Sequence, residues 1–445
     1  MLIDELRAVV GDSNVFDGHG TGHVVDWTGR FVGSTDVVVR PGSTDEVRAV
    51  IGIVRAHGRA LVPQGGNTGL VGGGVPLRGE VVLNLGRMNA VNAPDRATRQ
   101  IVVEAGATLE AVQRAAAAVG LRYPVDFGAR GSATIGGTIA TNAGGVNVLR
   151  YGSTRAQVVG LEAVMADGSV LSTMSGLLKD NTGYDLRGLM CGSEGTLGVV
   201  TRAVLALVPQ HEHRATALVG CASVADAIDV VAAVRSGTDT VDAAELMSRR
   251  GVTLVSSVAK VAVTFDAPWY VLIETSANVD QTAILQELLV DREQIAVADG
   301  TARRDALWRL RDEHTPSIAT LGTPLKYDVT VPVTALANFV DDVVASVAST
   351  SPKVEVIVFG HAADGNLHVN LIGADHDDHR RFDAAVLNVV AAHRGSISAE
   401  HGVGVAKREW LHLTRSADEI AVMRAIKAAL DPGNLMNPHV LLPAD

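Results

Sequence analysis

The sequence predicts a protein of mixed α and β structure with two domains divided near residue 210. At 445 residues the chain is long enough for two or three domains of about 150 residues each. A strand, a helix and a second strand follow one another between residues 36 and 66, which is typical of α/β domains. Glycine clusters are frequent up to residue 201, and beyond it amphipathic helices alternate with apolar strands. We therefore expect domains over residues 1–210 and 211–406, and a segment over residues 407–445 that packs back on the first domain.

Periodicity and capping residues predict the individual elements. Met1–Val10 has apolar residues at helical spacing, and Asp36–Pro41 is a β-branched strand. Ser43 or Thr44 is a suitable N-cap for a helix that ends at Gly58, and a strand then leads into the first glycines. Further expected elements are strands at Val81–Leu85, Ile101–Glu104 and Tyr270–Glu274 and helices at Ala107–Gly120, Val224–Val234 and Ala417–Leu430.

Composition disfavours several classes of partner. The net charge of -11 argues against nucleic acid, which needs clustered Lys and Arg. No uninterrupted apolar stretch reaches the ~18 residues of a membrane span, and the N-terminus lacks the basic region of a signal peptide. The expectation is a cytoplasmic protein without a membrane span. Cys191 and Cys221 are too few for a disulfide framework or a zinc knuckle and receive no role.

Three glycine clusters, Pro63–Gly74, Gly131–Gly145 and Cys191–Thr201, indicate a large phosphate-containing ligand. Glycines let backbone N–H groups approach a diphosphate closely, where a side chain would block contact. Glycine-rich loops are also ordinary turns, but three of them favour a dinucleotide. A Rossmann fingerprint would open a helix after the first strand, whereas Val75 and Pro76 lead here into another strand. NAD is therefore disfavoured.

A second informative region contains His361 and His368, and Glu400 and His401 follow later in the chain. The alternation in LHVNL turns His368 and Asn370 toward one face of a strand. Two imidazoles and a carboxylate are good ligands for Zn²⁺ or a similar ion at a catalytic site. Isolated histidines at this spacing are also common as surface or structural residues, so the residues alone leave both interpretations open.

Several motifs together resemble a known family. The strings PQGGNTGLVGG, GARGSATIGGTIATNAGG, LRYGSTR, LKDNTGYDL and GSEGTLG resemble the vanillyl-alcohol-oxidase-type flavoproteins, in particular the branch of D-2-hydroxyglutarate and D-lactate or glycolate dehydrogenases. The resemblance covers nearly the whole chain. It implies an FAD-binding domain of two α/β subdomains and a cap domain built as an antiparallel sheet with helices on one face.

The resemblance also implies which residues bind FAD. The diphosphate is expected over the loop Gln64–Gly69. Some relatives attach FAD covalently through a histidine where this chain has Asn67, so a non-covalent cofactor is expected. The residues expected to contact FAD are Pro63, Gln64, Gly65, Gly66, Asn67, Thr68, Gly69, Gly131, Ser132, Gly136, Gly137, Thr141, Asn142, Gly144, Gly145, Gly195, Val199 and Asn437.

In the same family, the positions matching His361, His368 and Glu400 are metal ligands, and the position matching His401 is a base. The resemblance therefore implies a divalent metal, with zinc as the expected ion. The chemistry agrees, because oxidation of a hydroxyl-bearing carbon needs a base for the hydroxyl proton and a cation beside the developing alkoxide.

Substrate binding requires cationic partners. Arg311 can bind a carboxylate through two parallel hydrogen bonds, and Lys326 can serve a second carboxylate. The resemblance adds Thr315 to this set. Asn370 is expected to hold the substrate carboxylate or to orient a metal ligand.

The resemblance implies oxidation of D-2-hydroxyglutarate to 2-oxoglutarate by hydride transfer to flavin N5, because two cations suit a dicarboxylate. D-lactate or glycolate is the alternative substrate. A non-redox ether-lipid synthase and a non-catalytic flavin-binding subunit are more distant alternatives, which the complete His and Glu set disfavours. An external electron acceptor, such as an electron-transfer flavoprotein or a quinone, and a homodimer are also expected.

Overall fold

The computed structural model describes residues 1–298 and 300–443, so Asp299 and the last two residues of the C-terminal segment lie outside the described residues. The chain divides into two compact units. The first comprises residues 1–145 and 152–210 and the chain from Glu400 onward, and the second comprises residues 146–151 and 211–399. The second unit thus ends at Ala399, seven residues before the boundary expected from the sequence, and includes a short segment from the middle of the first.

The strands of the first unit form two four-stranded sheets and a two-stranded ribbon within the described residues. In chain order these strands are β1 (Val15–Phe16), β2 (Val38–Val39), β3 (Leu61–Gln64), β4 (Val81–Asn84), β5 (Gln100–Glu104), β6 (Leu121–Arg122), β7 (Val158–Met165), β8 (Val170–Ser172), β9 (Gly198–Ala206) and β10 (Val208–Pro209). One sheet has the order β1-β2-β4-β3 and the other β5-β9-β7-β8, while β6 pairs with β10.

Helices occur in both units. They are α1 (Leu2–Val10), α2 (Thr44–Ala56), α3 (Leu109–Ala117), α4 (Ile135–Thr141), α5 (Val148–Tyr151), α6 (Thr154–Gln157), α7 (Leu186–Met190), α8 (Val224–Gly237), α9 (Arg249–Ala259), α10 (Gln281–Leu288), α11 (Thr301–Asp312), α12 (His314–Ala319), α13 (Leu336–Thr350), α14 (His379–Ala392) and α15 (Ala417–Leu430). Short 3-10 helices span Asp12–Asn14, Gly22–Val24, Val333–Ala335, His376–Asp378 and Arg408–Leu413. Among the described residues, none of these helices combines the length and apolarity that a membrane span requires.

The predicted strand, helix and strand near the start of the chain are β2, α2 and β3. Ser43 begins α2 as its N-cap, because its side chain accepts a hydrogen bond from the backbone N–H of Glu46. Strands β2 and β3 do not pair with each other, since β4 lies between them and is parallel to both. The carboxyl end of β3 leads directly into the first glycine cluster.

The C-terminal segment completes the first of these sheets. The backbone N–H of Leu61 in β3 donates to the carbonyl of Leu435 at 2.8 Å, and that of Asn437 donates to the carbonyl of Leu61 at 2.8 Å. Lys427 of α15 fixes this segment by donating to the carbonyls of Thr196 and Met436, at 2.8 and 2.6 Å. The C-terminal segment is therefore bonded to β3 and to the third glycine cluster.

The second unit is built on a seven-stranded sheet in which every pair is antiparallel. Its strands are β11 (His213–Cys221), β12 (Val241–Ser248), β13 (Trp269–Ala277), β14 (Ile295–Ala298), β15 (Leu325–Thr330), β16 (Glu355–His361) and β17 (Asn366–Ile372), in the order β14-β11-β13-β12-β16-β17-β15. The antiparallel sheet expected for the second domain is thus confirmed.

One apolar cluster joins helices α9, α11 and α12 to this sheet. Val255, Leu310 and Ile318 come from the helices, and Leu272 and Phe359 come from the strands. Residues that alternate with these along the strands, such as Val271 and Ile273, are also fully buried, so the opposite face is covered as well. A polar side chain in the middle of this sheet is therefore enclosed and needs a partner.

Candidate active site

The first and second glycine clusters lie against each other in the first unit. A Cβ atom on Gly66 would lie 1.8 Å from the carbonyl oxygen of Ser132, and one on Gly65 would lie 2.1 Å from Thr134 Oγ1. Only glycine permits such an approach, because any side chain would overlap the neighbouring loop. These glycines are therefore required by the contact between the two clusters.

The loops beside this contact carry a buried polar atom and uncrowded glycines that suit a polar ligand such as FAD. Thr134 Oγ1 is buried and has no hydrogen-bond partner among residues 1–298 and 300–443, so it is available to a polar ligand. No atom of these residues lies within 4 Å of a Cβ built on Gly69, and the nearest to one on Gly131 is 4.0 Å away. The third cluster approaches the same loops, since a Cβ on Gly195 would lie 3.1 Å from Pro63 Cγ.

Other residues expected at FAD shape the loops. Gly136 packs against Ala105, where a Cβ would meet the alanine methyl at 2.8 Å. Asn142 ends α4 at φ 52°, and its Oδ1 accepts a hydrogen bond from the backbone N–H of Arg155 at 2.9 Å. Gly137 and Thr141 lie in α4, and the Thr141 hydroxyl donates to the carbonyl of Gly137 at 3.0 Å.

Polar side chains hold the ends of the clusters. The amide nitrogen of Asn67 donates to the carbonyls of Gly22 and Val25, at 2.9 and 2.8 Å, so this side chain is bound to the backbone of an earlier loop. The amide nitrogen of Asn437 donates to the carbonyls of Gly73 and Glu194, at 2.9 and 2.8 Å. The remaining expected positions, which lie within the clusters or on β9, are Gln64, Thr68, Gly144, Gly145 and Val199.

One face of the seven-stranded sheet carries a row of polar residues that includes most of the expected site residues of the second unit. The register pairs Glu245 with His361, and it pairs His368 with both Phe359 and Asp328. Directly paired residues of antiparallel strands point to the same face. The residues of this polar row are Glu245, His361, His368, Asn370, Asp328 and Lys326, and Phe359 lies on the same face.

Glu245, on β12, lies at one end of the row. Its side chain is 0% exposed, and each of its oxygens has a partner: Oε1 is 2.6 Å from His361 Nδ1, and Oε2 accepts from Arg311 Nε at 2.6 Å. Burial disfavours the charged carboxylate, but the charges and hydrogen bonds of His361 and Arg311 outweigh it and lower the pKa of Glu245 to about 2. No motif in the sequence distinguishes this residue.

The two histidines have the geometry of a metal-binding pair. Their ring centroids are 5.6 Å apart at an interplanar angle of 78°, and one nitrogen of each ring lies within 4.8 Å of the other. Each histidine has a carboxylate at its Nδ1. Nδ1 of His368 is 3.4 Å from an oxygen of Asp328, and Nδ1 of His361 faces Glu245. A carboxylate behind a histidine is the usual support of a ligand to a divalent metal, so these residues fit such an ion.

The structure places the expected substrate residues around this row. The side chain of Arg311 is only 11% exposed. Its terminal nitrogens nevertheless have no hydrogen-bond partner among residues 1–298 and 300–443. Lys326 lies opposite Asn370 in the register of β15 and β17, and burial lowers the pKa of its amine. The amide nitrogen of Asn370 donates to the carbonyls of Ile357 and His368, at 3.3 and 3.2 Å.

Thr315 lies in the first turn of α12, next to a proline. Pro316 is the third residue of this helix, a position where no intrahelical N–H bond is lost, so it does not break the helix. The neighbouring His314 is fully buried against Phe359, with ring centroids 4.8 Å apart, and burial lowers its pKa to about 3.

Glu400 and His401 lie in the first unit, and Glu194 fixes the loop that follows them. Glu400 Oε1 accepts a hydrogen bond from the backbone N–H of Gly145 at 2.5 Å. The carboxylate of Glu194 accepts from the backbone N–H groups of Val403 and Gly404. Burial raises the pKa of Glu194. The glycines of the motif GSEGTLG indicate a ligand-binding loop, but nothing in the motif indicates the role of its acidic residue.

Comparison with known proteins identifies the class. Residues 35–174 match a family described as FAD binding domain, and residues 210–441 match the C-terminal domain of FAD linked oxidases. A D-2-hydroxyglutarate dehydrogenase of Xanthomonas citri pv. viticola is 41% identical over 94% of this chain and 91% of its own length. A Schizosaccharomyces pombe protein provisionally named a mitochondrial D-lactate dehydrogenase is 35% identical over 93% of this chain and 83% of its own.

Solved structures with a similar fold are also known. The structure of p-cresol methylhydroxylase with substrate bound superposes with a TM-score of 0.80, covering 99% of this chain and 96% of that one at 17% identity. The matched family models, together with this fold, show that the chain belongs to the FAD linked oxidase family. Within it, the chain belongs to the FAD-linked D-2-hydroxy acid dehydrogenases, oxidoreductases that act on a CH–OH group. The expected family, fold class and cofactor FAD are thereby confirmed.

Proposed function

We propose that this dehydrogenase oxidises D-2-hydroxyglutarate to 2-oxoglutarate. The observation that carries the proposal is the polar row of the second unit, with Lys326 on it and Arg311 bound to it through Glu245. A dicarboxylate needs two cationic partners, and Arg311 retains donors that no described residue uses. The Xanthomonas citri pv. viticola relative, which carries the name of this activity, supports the same substrate.

The substrate carboxylates are assigned to two residues. Arg311 would bind one carboxylate through its terminal nitrogens, because its Nε is already bound to Glu245. Lys326 would bind the second carboxylate as a point charge, with Thr315 and Asn370 adding polar contacts. Partial burial of these cations strengthens each interaction by reducing the screening of water.

FAD is held without a covalent bond by the three glycine clusters, and when bound it accepts a hydride from the carbon that bears the hydroxyl. His401 would take the hydroxyl proton as the general base. Glu194 supports this role by fixing the backbone two and three residues after His401.

His361, His368 and Glu400 would hold a divalent metal, for which zinc suits the two imidazoles and one carboxylate. The ion would supply positive charge beside the developing alkoxide. The carboxylates behind the two histidines support this assignment, because each of them faces Nδ1 of its ring, as the supporting group of a metal-binding histidine does.

D-lactate or glycolate is the second candidate substrate, and the name of the Schizosaccharomyces pombe relative favours D-lactate. Either substrate leaves electrons on the flavin, so an external acceptor such as an electron-transfer flavoprotein or a quinone would reoxidise the enzyme. A homodimer is the proposed assembly, which light scattering on the purified protein tests.

The deciding experiment is anaerobic reduction of the FAD-loaded protein by a panel of 2-hydroxy acids in both enantiomers. D-2-hydroxyglutarate should bleach the flavin fastest, with its L-enantiomer inactive as the matched control. Faster bleaching by D-lactate or glycolate would replace the proposed substrate. Absence of bleaching by every hydroxy acid would contradict the proposed reaction.

A further inference from the structure

Two predicted site residues of the second unit share one buried carboxylate. Glu245 lies in the middle of β12, with Leu246 and Met247 fully buried beside it, and its own side chain is 0% exposed. An acidic residue is rarely buried so completely without a specific partner. Here both oxygens are used, one for His361 and one for Arg311.

The hydrogen bond to His361 selects one form of its ring. An ionised carboxylate only accepts hydrogen bonds, so Nδ1 of His361 must carry the hydrogen at a distance of 2.6 Å. In the neutral ring, Nε2 then presents a lone pair, which is the form that binds a metal. Without the carboxylate, the hydrogen could move to Nε2 and block that nitrogen.

The second oxygen fixes the orientation of Arg311. Its Nε donates to Glu245 at 2.6 Å, and its guanidinium lies over the ring of Phe359, 4.7 Å from the centroid. The hydrogen bond holds one edge of the guanidinium, and the Phe359 ring packs against one of its faces. The terminal nitrogens, which have no partner in the described parts of the chain, point to the other edge and suit a carboxylate.

We propose that Glu245 is a positioning residue that fixes the tautomer of His361 and the orientation of Arg311 together, so that one carboxylate couples metal binding to substrate binding. This inference rests on the metal and substrate roles of the proposed function. A purely structural role would predict equal effects of removing the Glu245 and the Glu274 charge. A positioning role predicts that only loss of the Glu245 charge weakens Zn²⁺ binding.

The chain offers a matched control on the same sheet. Glu274 of β13 is also buried and paired, since it accepts from Arg214 and from Trp308 Nε1, the latter at 2.7 Å. None of its hydrogen bonds or ion pairs among the described residues involves His361 or Arg311. Glu274→Gln therefore removes a comparable buried charge without touching either of the two site residues.

The first measurement is the binding of Zn²⁺ alone to the metal-stripped, FAD-loaded full chain, in competition with a chromogenic chelator. Glu245→Gln should weaken Zn²⁺ binding roughly 10- to 100-fold, the usual effect of losing such a support. Glu274→Gln should change it less than about twofold. Glu245→Asp, which keeps the charge but shortens the side chain, should give an intermediate loss and serves if the glutamine variant does not fold.

The second measurement is the ¹⁵N spectrum of the His361 ring in metal-free protein, assigned with a His361→Asn variant. The wild-type ring should be protonated on Nδ1, and Glu245→Gln or Glu245→Asp should raise the fraction protonated on Nε2. Wild-type protein that binds no Zn²⁺ would refute the proposed metal, and the ring spectrum would still decide the role of Glu245. Unchanged ring and Zn²⁺ binding in the Glu245 variants, or equal losses in Glu274→Gln, would overturn the inference.

Discussion

Glu194 Oε2 accepts a hydrogen bond from the backbone N–H of Gly404 at 2.7 Å, which ties the third glycine cluster to the segment that contains Glu400 and His401. The other oxygen accepts from the N–H of Val403 at 2.8 Å. Gly404 has φ +54°, and a Cβ there would lie 2.3 Å from the carbonyl oxygen of Val71. The loop after the proposed base is therefore held from two sides within the first unit.

Glu194→Gln should destabilise the protein and slow flavin reduction. An amide can accept from one of the two N–H groups, but its nitrogen opposes the other, and a buried donor left unpaired costs about 1–3 kcal/mol. Urea denaturation measures this cost, and anaerobic stopped-flow measures the rate. Glu287→Gln, at an exposed position of α10, is the control and should change neither. Equal behaviour of the two variants would contradict a role for Glu194.

His401→Ala should lower the rate of flavin reduction by bound substrate roughly 100-fold or more, with a modest change in substrate affinity, because a general base contributes at least this much. Stopped-flow reduction at several substrate concentrations separates the rate from the affinity. His412→Ala, at an exposed position of the same segment, should retain the wild-type rate. A His401→Ala variant that reduces its flavin at the normal rate would assign the base elsewhere.

Lys326→Ala should weaken binding of D-2-hydroxyglutarate far more than binding of D-lactate. Only the dicarboxylate has a second charge to lose, and a hydrogen bond to a charged group contributes about 1.5–3 kcal/mol. Dissociation constants from the concentration dependence of flavin reduction give both values. If the two acids lose affinity equally, the dicarboxylate assignment loses its main chemical support and the monocarboxylate takes its place.

Denaturation by acid or heat should release FAD into solution. Asn67 offers no ring nitrogen for a covalent bond, and its amide nitrogen already donates to two backbone carbonyls. The absorbance of the supernatant after precipitation measures the released flavin. A yellow pellet that keeps its colour after washing would show a covalent link and refute the prediction.

His314 should make the protein less stable in acid. Its pKa of about 3 in the folded protein lies below the ordinary value of 6.5, because burial disfavours the charged ring. Between those values the unfolded chain binds more protons than the folded protein, so stability is full above pH 6.5 and falls as the pH decreases toward 3. This single group should contribute a slope of up to about 1.4 kcal/mol per pH unit.

The matched variant is His314→Asn, whose side-chain amide can still donate to the carbonyl of Leu310, as Nδ1 of the histidine does at 2.7 Å. Unfolding free energies from urea titrations between pH 6.5 and 4 should fall more steeply for the wild type than for the variant. Parallel curves would show that His314 does not titrate as its burial requires.

Elements with strong local signals are predictable from the sequence. The predicted helix Ala417–Leu430 has these bounds in the structure, because Ser416 and Glu419 form a capping box at its start. Motif spacing likewise identified the glycine clusters and the two histidines of the second unit. Such features depend on neighbours in the chain, which a sequence displays directly.

Contacts between distant positions could not be predicted in the same way. Glu245 occurs in the apolar string VDAAELMS, and its partners lie 66 and 116 positions further along the chain. Residues 146–151 belong to the second unit partly because Arg150 pairs with the fully buried Asp242 at 2.6 Å. No local sequence pattern predicts either pairing.

The hydrogen bonds between Leu61 and the C-terminal segment can form only late in protein synthesis. Strand β3 leaves the ribosome before the second unit is made, whereas Leu435 and Asn437, which pair with it, are made after that unit. At about 5 to 20 residues per second, residues 211–399 alone take roughly 10 to 40 s to translate. Throughout that interval the nascent first unit exposes an unpaired strand edge, a feature that promotes aggregation. Premature termination near residue 430 would leave that edge permanently open, although every glycine cluster had already been made.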